Sequence, residues 1–224
     1  MPPPEHRLNI TPAGIPRATI LIVPPLFDEA NRLRRTLALA MRALAADGFA
    51  AVLPDLPGQN ESLVALDAVD LEQWQDALAT VAAGIDGPVV IASVRGGTLL
   101  DHRANAAAWW RLAPVGGASL LRTMMRARVT ADRQAGIESS LDSLQEAAKT
   151  APLLLAGNLL SAAMVAQLGS ADARPVAPLR SIGLGADGIA GTPLWLRAEP
   201  GEDAAMASAI AADISAWIQT CGIS

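Results

Sequence analysis

At 224 residues, 51% of them hydrophobic, the chain can bury a substantial core, and one domain over 1–224 is the expected organisation. Its formal charge of −5 is scattered along the chain, which argues against non-specific nucleic-acid binding, and no run approaches the roughly 18 uninterrupted apolar residues of a membrane helix. The single cysteine, Cys221, excludes an internal disulfide and a thiolate metal site and suits a reducing compartment.

Residues 1–16 carry Pro2, Pro3, Pro4, Pro12 and Pro16 but no apolar core of signal-peptide type, so a soluble cytoplasmic protein is expected. The first strand falls on Ala18–Val23, a β-branched apolar run stopped by Pro24-Pro25, as for a strand buried on both faces. A helix is predicted over 29–46, with Leu33, Leu37, Met41 and Leu44 at spacings of three and four and Gly48 just beyond. Phe49–Pro54 reads as the second strand, running into the turn-rich Asp55-Leu56-Pro57-Gly58-Gln59-Asn60.

Asp70 is a cap for a helix through Leu71, Trp74, Leu78 and Val81, ended by Gly84. Val89–Ala92 is a third buried strand, and Ser93-Val94-Arg95-Gly96-Gly97 turns the chain into a helix expected near Thr98. These repeated strand-helix-strand units predict a mostly parallel sheet with helices on both faces. A strand over 108–114, a helical cap or arm over 118–149, a short helix over 160–168, a late strand over 193–198 and a helix over 203–218 complete the reading.

Chemistry in such a sheet belongs beyond the carboxyl ends of the strands. The segment at 93–97 has the strand-turn-helix context of a nucleophile elbow. With Gly97 as the closing glycine the nucleophile position holds Arg95, and with Gly96 it holds Val94. Neither can be acylated, and the Arg95 register is preferred. Ser93 does not substitute, because its register puts Arg95 where a glycine is needed. Arginine keeps its proton and is neither nucleophile nor base, but it offers donors to an anion. The only histidines are His6, ahead of the first predicted strand, and His102, predicted two helical turns past Arg95 on one face. Neither occupies the late position that a Ser-His-Asp triad requires, and two histidines do not make a zinc site.

Several segments together resemble the α/β-hydrolase-like proteins associated with the exosortase A system. They are Pro24-Pro25-Leu26-Phe27-Asp28-Glu29-Ala30-Asn31-Arg32-Leu33-Arg34-Arg35, then Leu53-Pro54-Asp55-Leu56-Pro57-Gly58, then Val94-Arg95-Gly96-Gly97-Thr98-Leu99-Leu100. Trp110-Arg111-Leu112-Ala113-Pro114-Val115, Leu120-Leu121-Arg122 and Leu155-Ala156-Gly157-Asn158-Leu159-Leu160-Ser161 extend the similarity across about residues 18–220. The resemblance implies an α/β-hydrolase-like fold, arginine in place of the elbow serine, and a genetic setting of protein sorting and exopolysaccharide production in a Gram-negative bacterium.

Three functions follow as expectations. The first is a degenerate hydrolase fold binding a small acyl or anionic ligand, with Glu29, Asn31, Arg35, Asp55 and Arg95 lining the site and no cofactor or metal. Against it stands an internal role, with Arg95 held by Glu29 or Asp28 as a buried ion pair. The second is an ester or thioester hydrolase of unorthodox mechanism, using Glu29, Asp55 or Asp187 to activate water. The third is a non-catalytic interaction protein whose Arg-rich 118–149 segment meets an acidic partner. A homodimer is compatible with all three.

Overall fold

The computed structural model describes residues 5–223. Pro2, Pro3 and Pro4, part of the segment searched for a leader, lie outside that range. The first strand comes earlier than expected: β1 (Arg7–Ile10) is mostly exposed and pairs antiparallel with residues 51–54. Nothing in its half-polar sequence announces it, and the edge pairing supplies its order. The run expected at 18–23 forms β2 (Thr19–Val23), buried at all five positions. α1 (Asp28–Ala46) buries Leu33, Leu37, Met41 and Leu44 at the spacing read from the sequence. It leads to β3 (Ala50–Pro54). α2 (Leu71–Ala83) begins at a complete capping box, Asp70 accepting from the Gln73 N–H while the Gln73 side chain returns the bond. β4 (Val89–Val94) runs two residues beyond its expected end, buried throughout.

No α-helix starts directly at the end of β4. Arg95–Leu99 and Asp101–Arg103 are two short 3₁₀ turns instead. Two consecutive glycines are poor helix formers, and the fully buried Asp101 turns its carboxylate back to Arg111, which breaks the helical path. His102 therefore does not continue a helical face from Arg95. β5 (Ala108–Leu112) follows as expected. The 118–149 region holds two helices, α3 (Gly117–Gln134) and α4 (Leu141–Ala147). A two-stranded hairpin, β6 (Leu153–Leu155) and β7 (Asn158–Leu160), was not foreseen, and α5 (Ala162–Ser170) lies close to the helix predicted there.

The late strand is a correction. Leu194–Leu196 is a single 3₁₀ turn, with Trp195 buried and Leu196 exposed. The strand that pairs parallel with β5 is β8 (Leu179–Ile182), in the register Trp109↔Leu179 to Leu112↔Ile182. α6 (Ala204–Thr220) closes the fold, capped by Asp203.

The six-stranded sheet has the order β1-β3-β2-β4-β5-β8 and is parallel except for β1. Its faces alternate along each strand. Leu21, Val23, Val52, Ile91 and Trp109 point to the layer of α2, α3 and α5, whereas Ile20, Ile22, Leu53, Val90 and Trp110 point to α1 and α6. Strands buried on both faces explain why their sequences are continuous apolar runs.

β8 is only half-buried, and charge holds it. Arg180 Nε and Nη2 lie 2.7 and 2.6 Å from the Asp213 carboxylate of α6, which also accepts from the Trp110 indole at 2.6 Å. Burial alone would raise the Asp213 pKa, but the bonds from Arg180 and Trp110 outweigh it and hold the carboxyl below its ordinary value. A carboxyl lowered in the folded state contributes stability above its unfolded pKa and loses it as pH falls through the folded one. Denaturant titrations of wild type and Arg180→Met should differ by a constant amount from pH 5 to 7. The gap should narrow below about pH 4, the ordinary carboxylate range; a gap that does not change with pH would mean the pair acts through packing alone.

Candidate functional site

The loops that leave β2, β4 and β5 each place a non-glycine residue at positive φ: Phe27 at 57°, Arg95 at 54° and Ala113 at 45°. Such conformations cost about 1–3 kcal/mol each and persist only where the surroundings over-determine them. At the elbow the turn pivots on Arg95, since Val94 is still extended at φ −121°. The two glycines after it allow close packing. A Cβ on Gly97 would stand 2.4 Å from the Pro24 carbonyl oxygen, and one on Gly96 2.6 Å from Leu120 Cδ1.

The Arg95 side chain turns inward. Its Nε and Nη2 donate to Glu29 Oε2 and Oε1 at 3.1 and 3.0 Å, its Nη1 donates to the Ala113 carbonyl at 3.3 Å, and its guanidinium lies 4.7 Å over the Trp195 ring. The Arg95 and Glu29 side chains are only 16% and 13% exposed. Three of the five guanidinium N–H bonds and one planar face are thus satisfied internally, and the charge is balanced. Both Glu29 oxygens are occupied as well. Arg32 adds a second tie, donating to the Trp195 carbonyl at 2.9 Å.

Directly below lies a network the sequence reading missed. Ser93 is fully buried and donates to Asp101 Oδ2 at 2.8 Å, and Arg111 grips the same carboxylate at 2.9 and 2.6 Å. The Arg111 Nη2 also donates to the Arg174 carbonyl. The signal was Arg111 itself, a charge in the middle of the apolar strand Trp110-Arg111-Leu112. A buried arginine needs a carboxylate, but only the fold identifies which one. The Ser93 hydroxyl is therefore bound to a carboxylate and not to an imidazole. His102 Nδ1 is buried without a partner among the described residues. Burial lowers the His102 pKa, Arg103, Arg174 and Arg111 push the same way, and Asp101 opposes them.

The other predicted residues disperse. Asn31 is exposed on α1 and lines a cleft of about 130 Å³ with Phe27, Gln59, Asn60 and Asn158. Asp55 accepts from Asn60 at 2.7 Å, with Arg34 at 3.8 Å, in the adjoining recess. Arg35 is exposed and pairs with Glu202, outside that cleft. Asp187 lies exposed in a loop. Asp28 pairs with Arg32 and not with Arg95.

The solved structures identify the architecture. Mouse alpha/beta hydrolase domain-containing protein 10 matches with 10% identity and a TM-score of 0.57, over 96% of this chain and 93% of its own. A thermophilic esterase from Thermogutta terrifontis matches with 16% identity and a TM-score of 0.55, over the same shares. The chain has the α/β-hydrolase fold. No family model matches this sequence, and no curated protein does.

If Arg95 and Glu29 stabilise the elbow as a pair, Arg95→Ala and Glu29→Ala should each cost about 2 kcal/mol. The double variant should cost less than their sum, with a coupling of at least about 1 kcal/mol in denaturant titrations. Additive losses would show that the pair holds nothing together.

Proposed function

We propose that this chain is a degenerate α/β-hydrolase-fold protein that has given up serine hydrolysis and binds a small acyl or anionic ligand. The observation that carries this is Arg95 at the pivot of the elbow, engaged with Glu29 where a hydrolase of this fold presents its nucleophile. The buried Ser93, committed to Asp101, supports the same reading. In the setting that the exosortase A resemblance implies, the protein acts in the cytoplasm as one domain, with residues 118–149 as its cap.

The ligand's seat is the cleft of Asn31, Gln59, Asn60 and Asn158, whose lining also carries the Asp28 carboxylate, paired with Arg32. Carboxamides both donate and accept. The Asn158 and Asn60 amide nitrogens already donate to the Leu155 and Ala156 carbonyls and to Asp55. No hydrogen bond engages Asn31 or Gln59 through its side chain among the described residues, so these two carboxamides suit the oxygen of a small acyl ligand. Arg95 contributes indirectly, by fixing α1 and with it Asn31. A direct contact from Arg95 to an anion would require Glu29 to leave.

A fluorophosphonate probe and p-nitrophenyl acyl esters test the first half. Wild type, Ser93→Ala and Arg95→Ala should all remain unlabelled and without turnover, and labelling at Ser93 with turnover would overturn the proposal. Ligand-observed NMR tests the second. Propionate and propionamide should show saturable binding that Asn60→Ala weakens, and equal signals from both proteins would remove the cleft from the account.

A further inference from the structure

A second site lies apart from the elbow, where α3, α4 and α5 fail to close on one another. The gap is a groove of about 250 Å³. Leu121 and Met125 of α3 and Val165 of α5 form its apolar floor, and Leu141 of α4 forms a wall. The polar groups on its lining are Arg122 and Gln145. The Leu120 side of α3 meets the elbow at Gly96, whereas Leu121, Arg122 and Met125 lie 100° or more around the helix from it.

Arg122 is distinguished by its place on the groove lining. It makes no hydrogen bond or ion pair with any described residue; Arg42, Arg126, Arg133 and Arg174 are likewise unengaged through their side chains, but of these five Arg122 is the one that lines the groove. It stands at an apolar groove in a chain of net charge −5. A free guanidinium beside an apolar trough fits one ligand chemistry: an anionic head for the planar donor fork and a hydrocarbon tail for the floor. The volume falls below that of sites for drug-sized ligands, so one unbranched chain fits better than a helix or a two-chain lipid.

We infer that the groove between α3, α4 and α5 binds a medium-chain fatty carboxylate, its head on Arg122 and its tail on Leu121, Met125 and Val165. This site is separate from the carboxamide cleft proposed above and goes beyond that reading.

Calorimetric titration of the full chain with decanoate tests it. Wild type should bind saturably, and decanol should bind about tenfold more weakly, the loss expected when one charge-assisted contact is removed. Arg122→Ala, an exposed change, should weaken decanoate by a similar factor. Ala166→Trp on α5 and Leu141→Trp on α4 should each block the groove while keeping the wild-type circular dichroism and melting transition. Asn60→Ala, in the cleft, should leave decanoate affinity unchanged, so failure there and failure here read separately. No binding by wild type, equal affinity for decanol, binding that survives Arg122→Ala or both folded tryptophan variants, or loss in Asn60→Ala would each overturn the assignment.

Discussion

The guanidinium of Arg95 ties together four segments that are distant in the chain. It leaves the end of β4 through a left-handed residue, grips Glu29 at the start of α1, bonds the carbonyl of Ala113 after β5, and stacks over the ring of Trp195 in the turn that precedes α6. A side chain in that backbone conformation carries a local cost, and the contacts at its far end offset it. In a serine hydrolase the same turn aims a nucleophile outward. Here the side chain at the turn after β4 points into the structure, and the strained geometry is tied to Glu29, Ala113 and Trp195.

Beneath that clamp the elbow rests on a second charge cluster with a different physical character. Asp101 is fully buried and Arg111 nearly so, and the carboxylate collects both guanidinium donors and the Ser93 hydroxyl. A buried ion pair gives little net stability against an apolar replacement, but losing one partner leaves an uncompensated charge in the core. The cluster thereby sets where the chain turns after β4. Together with the two glycines, the turn of Asp101 back to Ser93 and Arg111 works against the expected helix, and two 3₁₀ turns stand in its place. Sequence periodicity carries no trace of that demand.

The site separates into a part that could be read early and a part that could not. That the only histidines are His6 and His102 followed from residue identity alone, as did the candidacy of Glu29 as a partner for Arg95. Arg35 was grouped with Glu29 because it shares the same loop-to-helix segment, yet it projects from another side of α1 and meets Glu202. Asn31 and Asp55 do lie near one another, but through Asn60, which shares the loop of Asp55 and not the segment of Asn31. Trp195 sits on Arg95 from 100 residues further along the chain, in a turn whose apolar sequence had suggested a strand.

Elements whose order is local were legible in the chain. Continuous apolar runs made β2, β3 and β4, three-and-four spacing made α1, and Asp70 with Gln73 started α2, because each of those signals is a property of neighbouring residues. Tertiary structure alone decided β1, β8 and the turns after the elbow. β1 is an exposed edge that exists through its pairing with β3, and β8 is a polar strand held by Arg180 on Asp213 and by its register with β5. Their order is supplied by partners far away in the chain, and an interaction energy between distant residues leaves no periodicity in either segment alone.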